Sequence, residues 1–498
     1  MEKLIAARIA QLANVSMTSE LEKILIDLVK SAKEGHLCHR VTDASLVPNG
    51  GPLVLQGERL YLQRNWALET EILHKITERL ARNASDSSDR FIEELAKVQG
   101  LQEAQYRALL EASKKMFVIF NGGPGTGKTF TAGCFIRTLA ASRGNPLKVA
   151  IAAPTGKAAA HLESSLKAQG PLDTKLKCES TTLHRLLKLQ PGKQRLRTPH
   201  LIDADLVVVD EASMLDALLL LHLLNATGPN TRLLLLGDQD QLPPIEGGGL
   251  FAELADLFGH KLERSMRMSN RALCECAQAI RNGKWDPVES EAVCWLGTKE
   301  PTEWVDWFIE KLPNPIFSSE PLAPKGQKTF QVLCALRQGP LGSDALNREI
   351  LARFEKKLMA GQWLAVPIII VQNDPQLQLY NGTTGVLVRQ AFARQAIAYF
   401  DEGRKIAESE LPRYESAFCL SVHKSQGSEY EEVVLLFPPG SENLGREALY
   451  TGVTRAKKKV SIAIDLVTLE NLLRITAKRR SGFTERFKCI FENHQETD

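Results

Sequence analysis

The chain has 498 residues, about three times the length of a typical single domain, so two to four packed domains are expected and a small cross-linked scaffold is excluded. Hydrophobic residues make up 44% and charged residues 24%, and no apolar run approaches the roughly 18 to 20 residues that a membrane span needs. The formal net charge of +3, from 62 basic and 59 acidic residues, does not mark a nucleic-acid binder, so any such surface must be local.

The first residues carry Arg8 and Gln11 inside their apolar pattern and so lack the unbroken apolar region of an export signal. Leu21, Ile24, Leu25, Leu28 and Val29 form one stripe at helical spacing. Between Arg40 and Arg64, Gly-rich turns flank short alternating runs that predict a strand pair, and another helix follows from about Trp66. Asn83 to Arg90 is a polar loop. The cysteines at 38, 134, 178, 274, 276, 294, 334, 419 and 489 are scattered, mostly among apolar neighbours. They read as reduced thiols of a cytoplasmic protein, and neither His36–His39 nor Cys274–Cys276 has a second ligand pair at zinc-site spacing.

Beyond residue 100 the pattern changes to apolar runs alternating with helical stretches: 117–120, 148–154, 205–212 and 232–238. Runs that are apolar throughout, each ending in Gly, Pro or Asp, predict an α/β fold with a parallel sheet covered on both faces. Lys311 to Lys328 holds Pro313, Pro315, Pro321 and Pro324 and reads as an irregular connection. A second α/β unit opens near residue 330 and is interrupted by short β-like runs that predict a small inserted β domain.

Gly122, Gly123, Pro124, Gly125, Thr126, Gly127, Lys128 and Thr129 stand between an apolar strand and a helical segment. That is the setting of a phosphate-binding loop, in which glycines let successive amides and a helix N-terminus face phosphate oxygens. Lys128 would reach the terminal phosphates of ATP, and Thr129 would place a hydroxyl on Mg²⁺. The strand 206–209 ends in Asp210 and Glu211, a metal-holding and a water-polarising carboxylate for phosphoryl transfer. A third strand ends in Gly237 to Pro244, where the neutral amide of Gln241 suits a sensor of the γ-phosphate. Three polar strand ends in one sheet favour a shared site, since ligands of open α/β sheets bind at carboxyl ends. An ordinary turn is the competing reading of the third.

The ordered set resembles superfamily 1 helicases, within them the RecD-like group. It comprises Gln105, 153–158, 182–186, Asp210–Glu211, 237–244, 422–429 and 450–456. Two stretches, Gly57–Trp66 and Leu333–Gly342, resemble the RecD family of exodeoxyribonuclease V alpha subunits rather than the longer stand-alone relatives. The resemblance implies two RecA-like parallel-sheet motor domains, 99–265 and 266–360 with 414–498. It adds a mostly helical partner-binding domain, 1–98, and a small inserted β domain, 361–413. It implies a 5′-to-3′ DNA helicase that acts on single-stranded DNA and duplex ends with RecB and RecC in double-strand-break repair. A stand-alone helicase and a nucleotide-dependent switch are the rival functions.

By the same resemblance Gln105 contacts adenine, Arg267 and Arg455 contact the γ-phosphate, and Thr155, His184, His423 and Ser425 lie near the single strand. Met266 stands where relatives often carry an aromatic residue. The basic runs Lys457–Lys459 and Lys478–Arg480 read first as solvated faces. Leu218 to Leu224 reads as a buried helix, and the sequence shows no separate nuclease constellation of clustered carboxylates with a lysine.

Overall fold

The computed structural model describes residues 1–84, 89–143, 145–168, 176–189, 200–262, 271–285, 290–319, 329–374, 376–393 and 395–495. Among them, two parallel sheets carry the two α/β units. The first has six strands in the order Leu176–Thr182, Leu147–Ala153, Leu206–Val209, Arg232–Gly237, Phe117–Asn121, Gly259–Lys261. Alternate residues of each strand serve opposite faces. Ile119, Ala152, Val207, Val209 and Leu235 pack under the helices Gln63–Leu80, Ala217–Ala226 and Phe251–Phe258. Phe120, Ile151, Val208, Leu234 and Leu236 pack under Asp89–Gln99, Glu103–Ala112, Lys128–Ser142 and Gly156–Ala168. Burial on both faces is why these strands are apolar at every position.

The second sheet runs Val293–Trp295, Ala456–Ile464, Tyr430–Phe437, Phe330–Cys334, Cys419–Ser421, again all parallel. Val433, Leu435 and Ile462 face the helices Arg271–Arg281, Arg446–Val453 and Leu466–Arg474. Val332, Val434 and Leu436 face Pro301–Lys311 and Ser343–Lys357. The inserted antiparallel sheet shares that core through Leu364, Val366 and Ile368. It draws strands from beyond 361–413: Ile316 and Phe317 pair with Leu364 and Trp363, and Tyr414–Ser416 pairs with Ile368–Ile370. The start of the connection 311–328 is therefore tied to this sheet, because Ala365 N–H donates to the Pro315 carbonyl at 2.8 Å and Pro315 needs no donor partner of its own; residues 320–328 lie outside the described residues.

At the N-terminus the helices Glu2–Leu12 and Ser19–Lys33 cover a three-stranded sheet, Cys38–Arg40, Arg59–Leu62, Leu53–Gln56. Thr18 Oγ1 caps the second helix by accepting from Leu21 N–H at 3.1 Å. Leu21, Leu25, Leu28 and Val29 are buried with Ala6, Ile9, Leu53 and Leu60, while Ile24 sits at the margin. The helices Gln63–Leu80 and Asp89–Gln99, placed by sequence in a separate first domain, instead cover opposite faces of the first parallel sheet.

The C-terminus departs furthest from the predicted layout. Past Arg474 the chain leaves the second sheet and returns to the first unit, where Phe483 is fully buried among Ile72, Ile76 and Leu254. Glu69, also fully buried, accepts from Tyr61 Oη at 3.1 Å, Gly482 N–H at 3.1 Å and Arg486 Nη1 at 3.0 Å. Arg486 also lies 5.3 Å from the Trp66 ring centre, and Arg59 pairs with Glu485. A Cβ at position 482 would stand 2.0 Å from Tyr61 Oη, so only glycine passes there. The stretch Gly57–Trp66 thus holds the returning C-terminal segment. Higher up, Arg480 N–H donates to His36 Nδ1 at 2.9 Å, which requires a neutral imidazole.

Two outcomes follow from this docking. Glu69→Ala leaves the Arg486 guanidinium without its buried partner and lowers the free energy of unfolding by about 3 to 5 kcal/mol, measured by urea titration. Burial, with the charges of Arg480 and Arg479, pushes the His36 pKa down to about 4. Between its ordinary pKa and that value the unfolded chain takes up a proton that the folded chain refuses, so stability falls as pH drops across this window. His36→Asn, which keeps an acceptor but does not titrate, flattens that part of the pH profile.

Candidate functional site

The strand Phe117–Asn121 delivers the loop Gly122–Gly127 directly to the N-terminus of the helix Lys128–Ser142. Gly125 and Gly127 have φ of 76° and 86°, a left-handed backbone that glycine adopts without strain. A Cβ on Gly127 would come within 2.6 Å of Gln105 Nε2, and one on Gly122 within 2.5 Å of the Leu262 carbonyl. The loop is tied down by Gly122 N–H donating to Gly237 O at 3.1 Å and Thr126 Oγ1 donating to Gly123 O at 2.9 Å. Lys128 Nζ donates to the carbonyls of Gly122 at 2.6 Å and Gly123 at 3.0 Å, so the ammonium lies across the loop mouth. Thr129 follows it in the first helical turn. Gln105 is buried, and its Oε1 accepts from Gln102 N–H at 3.1 Å, which leaves its amide nitrogen against Gly127.

Asp210 and Glu211 stand at the same carboxyl edge. Glu211 N–H donates to Asp210 Oδ1 at 2.8 Å, and Glu211 has φ 50°. A left-handed non-glycine residue costs on the order of 1 to 3 kcal/mol and persists where its surroundings over-determine it, commonly at functional sites. From the second unit, Gly427 faces this carboxylate, with the Cβ direction 3.9 Å from Glu211 Oε1.

Asp238 joins the two units. It is 2% exposed and accepts from Asp240 N–H, Gln241 Nε2 and Tyr450 Oη, each at 3.1 Å; Tyr450 belongs to the helix Arg446–Val453 of the second unit. Burial pushes the Asp238 pKa up, and the Lys128 charge opposes the shift. Beside it, Leu242 N–H donates to Thr451 Oγ1 at 2.9 Å, and Gln426 Nε2 donates to Leu242 O at 3.2 Å. Gln241 Oε1, Ser213 Oγ and Arg479 Nε are buried around a space of about 20 Å³, and none of these atoms has a hydrogen-bond partner among the described residues.

A cavity of about 370 Å³ opens between the units, with Gly122, Gly123 and Thr126 on one wall and Arg281, Tyr450 and Thr454 on the other. Asp240 also lines it and pairs with Arg281, Nε to Oδ2, at 3.1 Å. Arg455, expected at the γ-phosphate, is buried one layer behind. Its guanidinium donates to Thr451 O at 3.1 Å, Ser428 O at 3.3 Å and Thr454 Oγ1 at 3.1 Å. Arg267 lies outside the described residues.

The four residues assigned to the single strand are placed differently from one another. Thr155 caps the helix Gly156–Ala168, Ala158 N–H donating to its Oγ1 at 3.3 Å, and His184 is exposed on the short helix Leu183–Leu186. His423 is partly buried, which with the Arg479 charge lowers its pKa. Ser425 is fully buried and donates to Val422 O at 2.7 Å, so its hydroxyl shapes its own turn. Tyr380 of the inserted domain completes this face: its ring lies 2.8 Å from the Cβ direction of Gly156, and its hydroxyl accepts from Arg185 at 3.3 Å. Lys457 and Lys458 pair with Glu429 and Glu431, each at 3.1 Å, on a solvated face.

Sequence reasoning gave no role to Asp238, Tyr450, Tyr380 or Arg281. The first two stand inside the strand-end and helix motifs, and a search of those motifs for groups to be buried would have found them. Tyr380 opens the turn Tyr380–Thr383, but nothing local points it across the chain, and Arg281 carries no local signal. Among the described residues no helix is long and apolar enough to cross a membrane, and no three His, Cys, Asp or Glu side chains are grouped to hold a metal ion.

Residues 99–305 match the model of an AAA domain, and 416–463 match that of a UvrD-like helicase C-terminal domain. The RecBCD enzyme subunit RecD of Mycolicibacterium smegmatis is 32% identical over 478 residues, covering 88% of this chain and 84% of the relative. This chain belongs to the RecD subunit family. The RecD of Haemophilus influenzae is 30% identical, covering 86% of this chain and 80% of its own. The ATP-dependent RecD2 DNA helicase of Deinococcus radiodurans is 31% identical, covering 80% of this chain and 54% of the longer relative.

In this RecD family member the Tyr450–Asp238 hydrogen bond crosses the cleft to a carboxylate that has lost its water. Tyr450→Phe removes one of three side-chain or backbone donors to Asp238 and lowers stability by about 1 to 3 kcal/mol, read from urea unfolding at neutral pH.

Proposed function

We propose that the chain is an ATP-dependent DNA helicase that serves as a motor subunit of a RecBCD-type complex. One observation carries this reading: the loop Gly122–Gly127, the Asp210–Glu211 strand end and Asp238 share one sheet edge, and a cavity lies between that loop and the second α/β unit. Such a cleft lets nucleotide binding and hydrolysis change the distance between two units, and that change moves whatever single strand both units grip.

In this reading the amides of Gly122–Gly127 and the N-terminus of Lys128–Ser142 bind the ATP phosphates. Lys128 leaves the Gly122 and Gly123 carbonyls to neutralise the terminal phosphates. The glycine cradle suits the group, since a side chain at Gly122 or Gly127 would strike Leu262 or Gln105. Thr129 and Asp210 would hold Mg²⁺, which neutralises phosphate charge when bound. Glu211 orients and deprotonates the attacking water, Gln241 reports the presence of the γ-phosphate through its amide nitrogen, which here donates to Asp238, and Gln105 faces the base. Arg455 and Arg267 supply positive charge from the second unit, Arg455 after exchanging its carbonyl partners for phosphate. Thr155, His184, His423 and Tyr380 line the strand path, and Ser425 supports it from beneath.

RecB and RecC are the proposed partners, with duplex DNA ends as the substrate and 5′-to-3′ as the direction of travel; the family resemblance supports each of these. Lys128→Gln is expected to abolish single-strand-stimulated ATP hydrolysis while the folded chain keeps its circular dichroism spectrum. Glu211→Gln retains ATP binding but turns over about 10² to 10⁴ times more slowly. With RecB and RecC present, unwinding of a duplex bearing a 5′ tail that is lost when the complex carries Lys128→Gln is the expected polarity result. Full turnover by the Lys128→Gln chain would sink the reading.

A further inference from the structure

Among the described residues, the arginine of the second unit that lines the cavity with the phosphate loop is Arg281 and not Arg455. Arg455 is engaged by three acceptors of its own unit, Thr451 O, Ser428 O and Thr454 Oγ1. Arg281, at the C-terminal end of the helix Arg271–Arg281, lines the cavity together with Gly122, Gly123 and Tyr450. That helix is anchored in the second core through Leu273, Cys276, Ala277 and Ile280, so its last residue moves with the second unit. Gly122 and Gly123 are the residues whose carbonyls hold Lys128 Nζ, which marks this end of the loop as the place of the terminal phosphate.

Among the described residues the acidic partner of Arg281 is Asp240 of the first unit, which its Nε approaches at 3.1 Å, and the Arg281 side chain is 31% exposed. The contact leaves the two Nη groups for other acceptors, and a planar guanidinium is suited to bidentate recognition of phosphate oxygens. Asp240 is itself crowded: burial and the neighbouring Asp238 raise its pKa, which weakens its hold on a cation relative to a phosphate group carrying more charge.

We infer that Arg281 engages the terminal phosphate of the bound nucleoside triphosphate from the second unit, releasing Asp240 as it does so. Resting on the ATPase reading above, this makes Arg281 a catalytic residue beyond the family motifs. In the reaction served, water attacks the terminal phosphorus, the bond to the bridging oxygen breaks, and the products are the diphosphate, inorganic phosphate and a proton. Arg281 donates hydrogen bonds throughout and remains charged. Asp240 acts as its resting partner, so the pair reports triphosphate occupancy as a change in cleft contacts.

The test compares binding of fluorescent ADP and of a fluorescent non-hydrolysable ATP analogue to the full-length wild-type chain and to Arg281→Ala, Arg281→Lys and Asp240→Asn. A thermal melt checks that each variant is folded. Arg281→Ala is expected to weaken the ATP analogue by about tenfold or more while ADP affinity stays within about twofold, because ADP lacks the phosphate that Arg281 contacts. Its single-strand-stimulated turnover falls by about 10²-fold or more. Arg281→Lys restores part of the analogue affinity, and Asp240→Asn binds the analogue at least as tightly as wild type. Equal weakening of both nucleotides in Arg281→Ala, or the same loss of analogue binding in Asp240→Asn as in Arg281→Ala, would make the pair a structural latch and overturn the proposal. Failure of the ATPase reading is seen separately, as undiminished turnover in Lys128→Gln.

Discussion

A carboxylate taken out of water must have its hydrogen bonds supplied by protein, and Asp238 gets them from both sides of the cleft. Asp240 N–H and Gln241 Nε2 belong to the same turn as Asp238, but Tyr450 comes from the other α/β unit. The relative position of the units is therefore written into the solvation of one buried group. Lys128 is the cation whose field opposes the upward pull of burial on the Asp238 pKa, and Lys128 is also the side chain that a phosphate would recruit. Drawing the ammonium towards phosphate alters the field at Asp238 and so the strength of its bond to Tyr450. The nucleotide site and the seam between units are electrostatically one object, and no chain of intermediate residues is needed to connect them.

The units are joined a second time, far from the cleft and by different physics. The C-terminal segment carries Phe483 into the core of the first unit and places Arg486 on the buried carboxylate of Glu69. Fully burying a Phe side chain contributes roughly 1.5 to 3 kcal/mol, and a buried ion pair is costly to break once formed. This end of the molecule is also where the first 62 residues attach, through the hydrogen bonds of His36 and Leu37 to the backbone of Arg480. The N-terminal sheet and the first parallel sheet are thus held by one returning strand of chain that starts in the second unit.

The parts of this arrangement that were legible in the sequence are those whose cause is local. Continuous apolar runs such as 206–209 and 232–237 announce strands buried on both faces, and glycines at 125 and 127 announce a backbone that only glycine adopts without strain. The apolar stripe from Leu21 to Val29 fixes its helix face equally well. What the sequence left open is decided by long-range packing. An amphipathic helix such as Gln63–Leu80 shows that it covers something but not which sheet, and only the packing puts it on the first parallel sheet. Ser425 sits in a motif beside His423, yet a hydroxyl can turn inwards to a carbonyl as readily as outwards to a strand, and only the local turn decides. Arg281 has no motif around it, and its place at the cavity follows from where a helix of the second core happens to end. The basic run at 478–480 reads as a solvated face, whereas Arg479 reaches Pro244 O at 3.3 Å inside the seam.

The two junctions between the units differ in a way that bears on movement. Among the described residues the cleft seam has a few hydrogen bonds and the ion pair Arg281–Asp240, each with a net value of about 1 kcal/mol or a little more, beside the buried side chain of Leu242. A ligand shifts an equilibrium only by the difference in its affinity for the two states, and a shift of a few kcal/mol is within reach of a triphosphate contacted from both walls. The returning segment is held by apolar burial and a buried charge pair, a larger sum that no ligand of the cleft touches. Cycles of binding and hydrolysis therefore rearrange the polar seam and leave the C-terminal anchor intact. The chain between them, Ile475 to Ser481, must then absorb the change in angle between the units; it carries no helix or strand of its own, and it is bonded to Glu447 at one end, to Glu253 at the other, and between them to Pro244 through Arg479 and to His36 and Leu37 through Arg480.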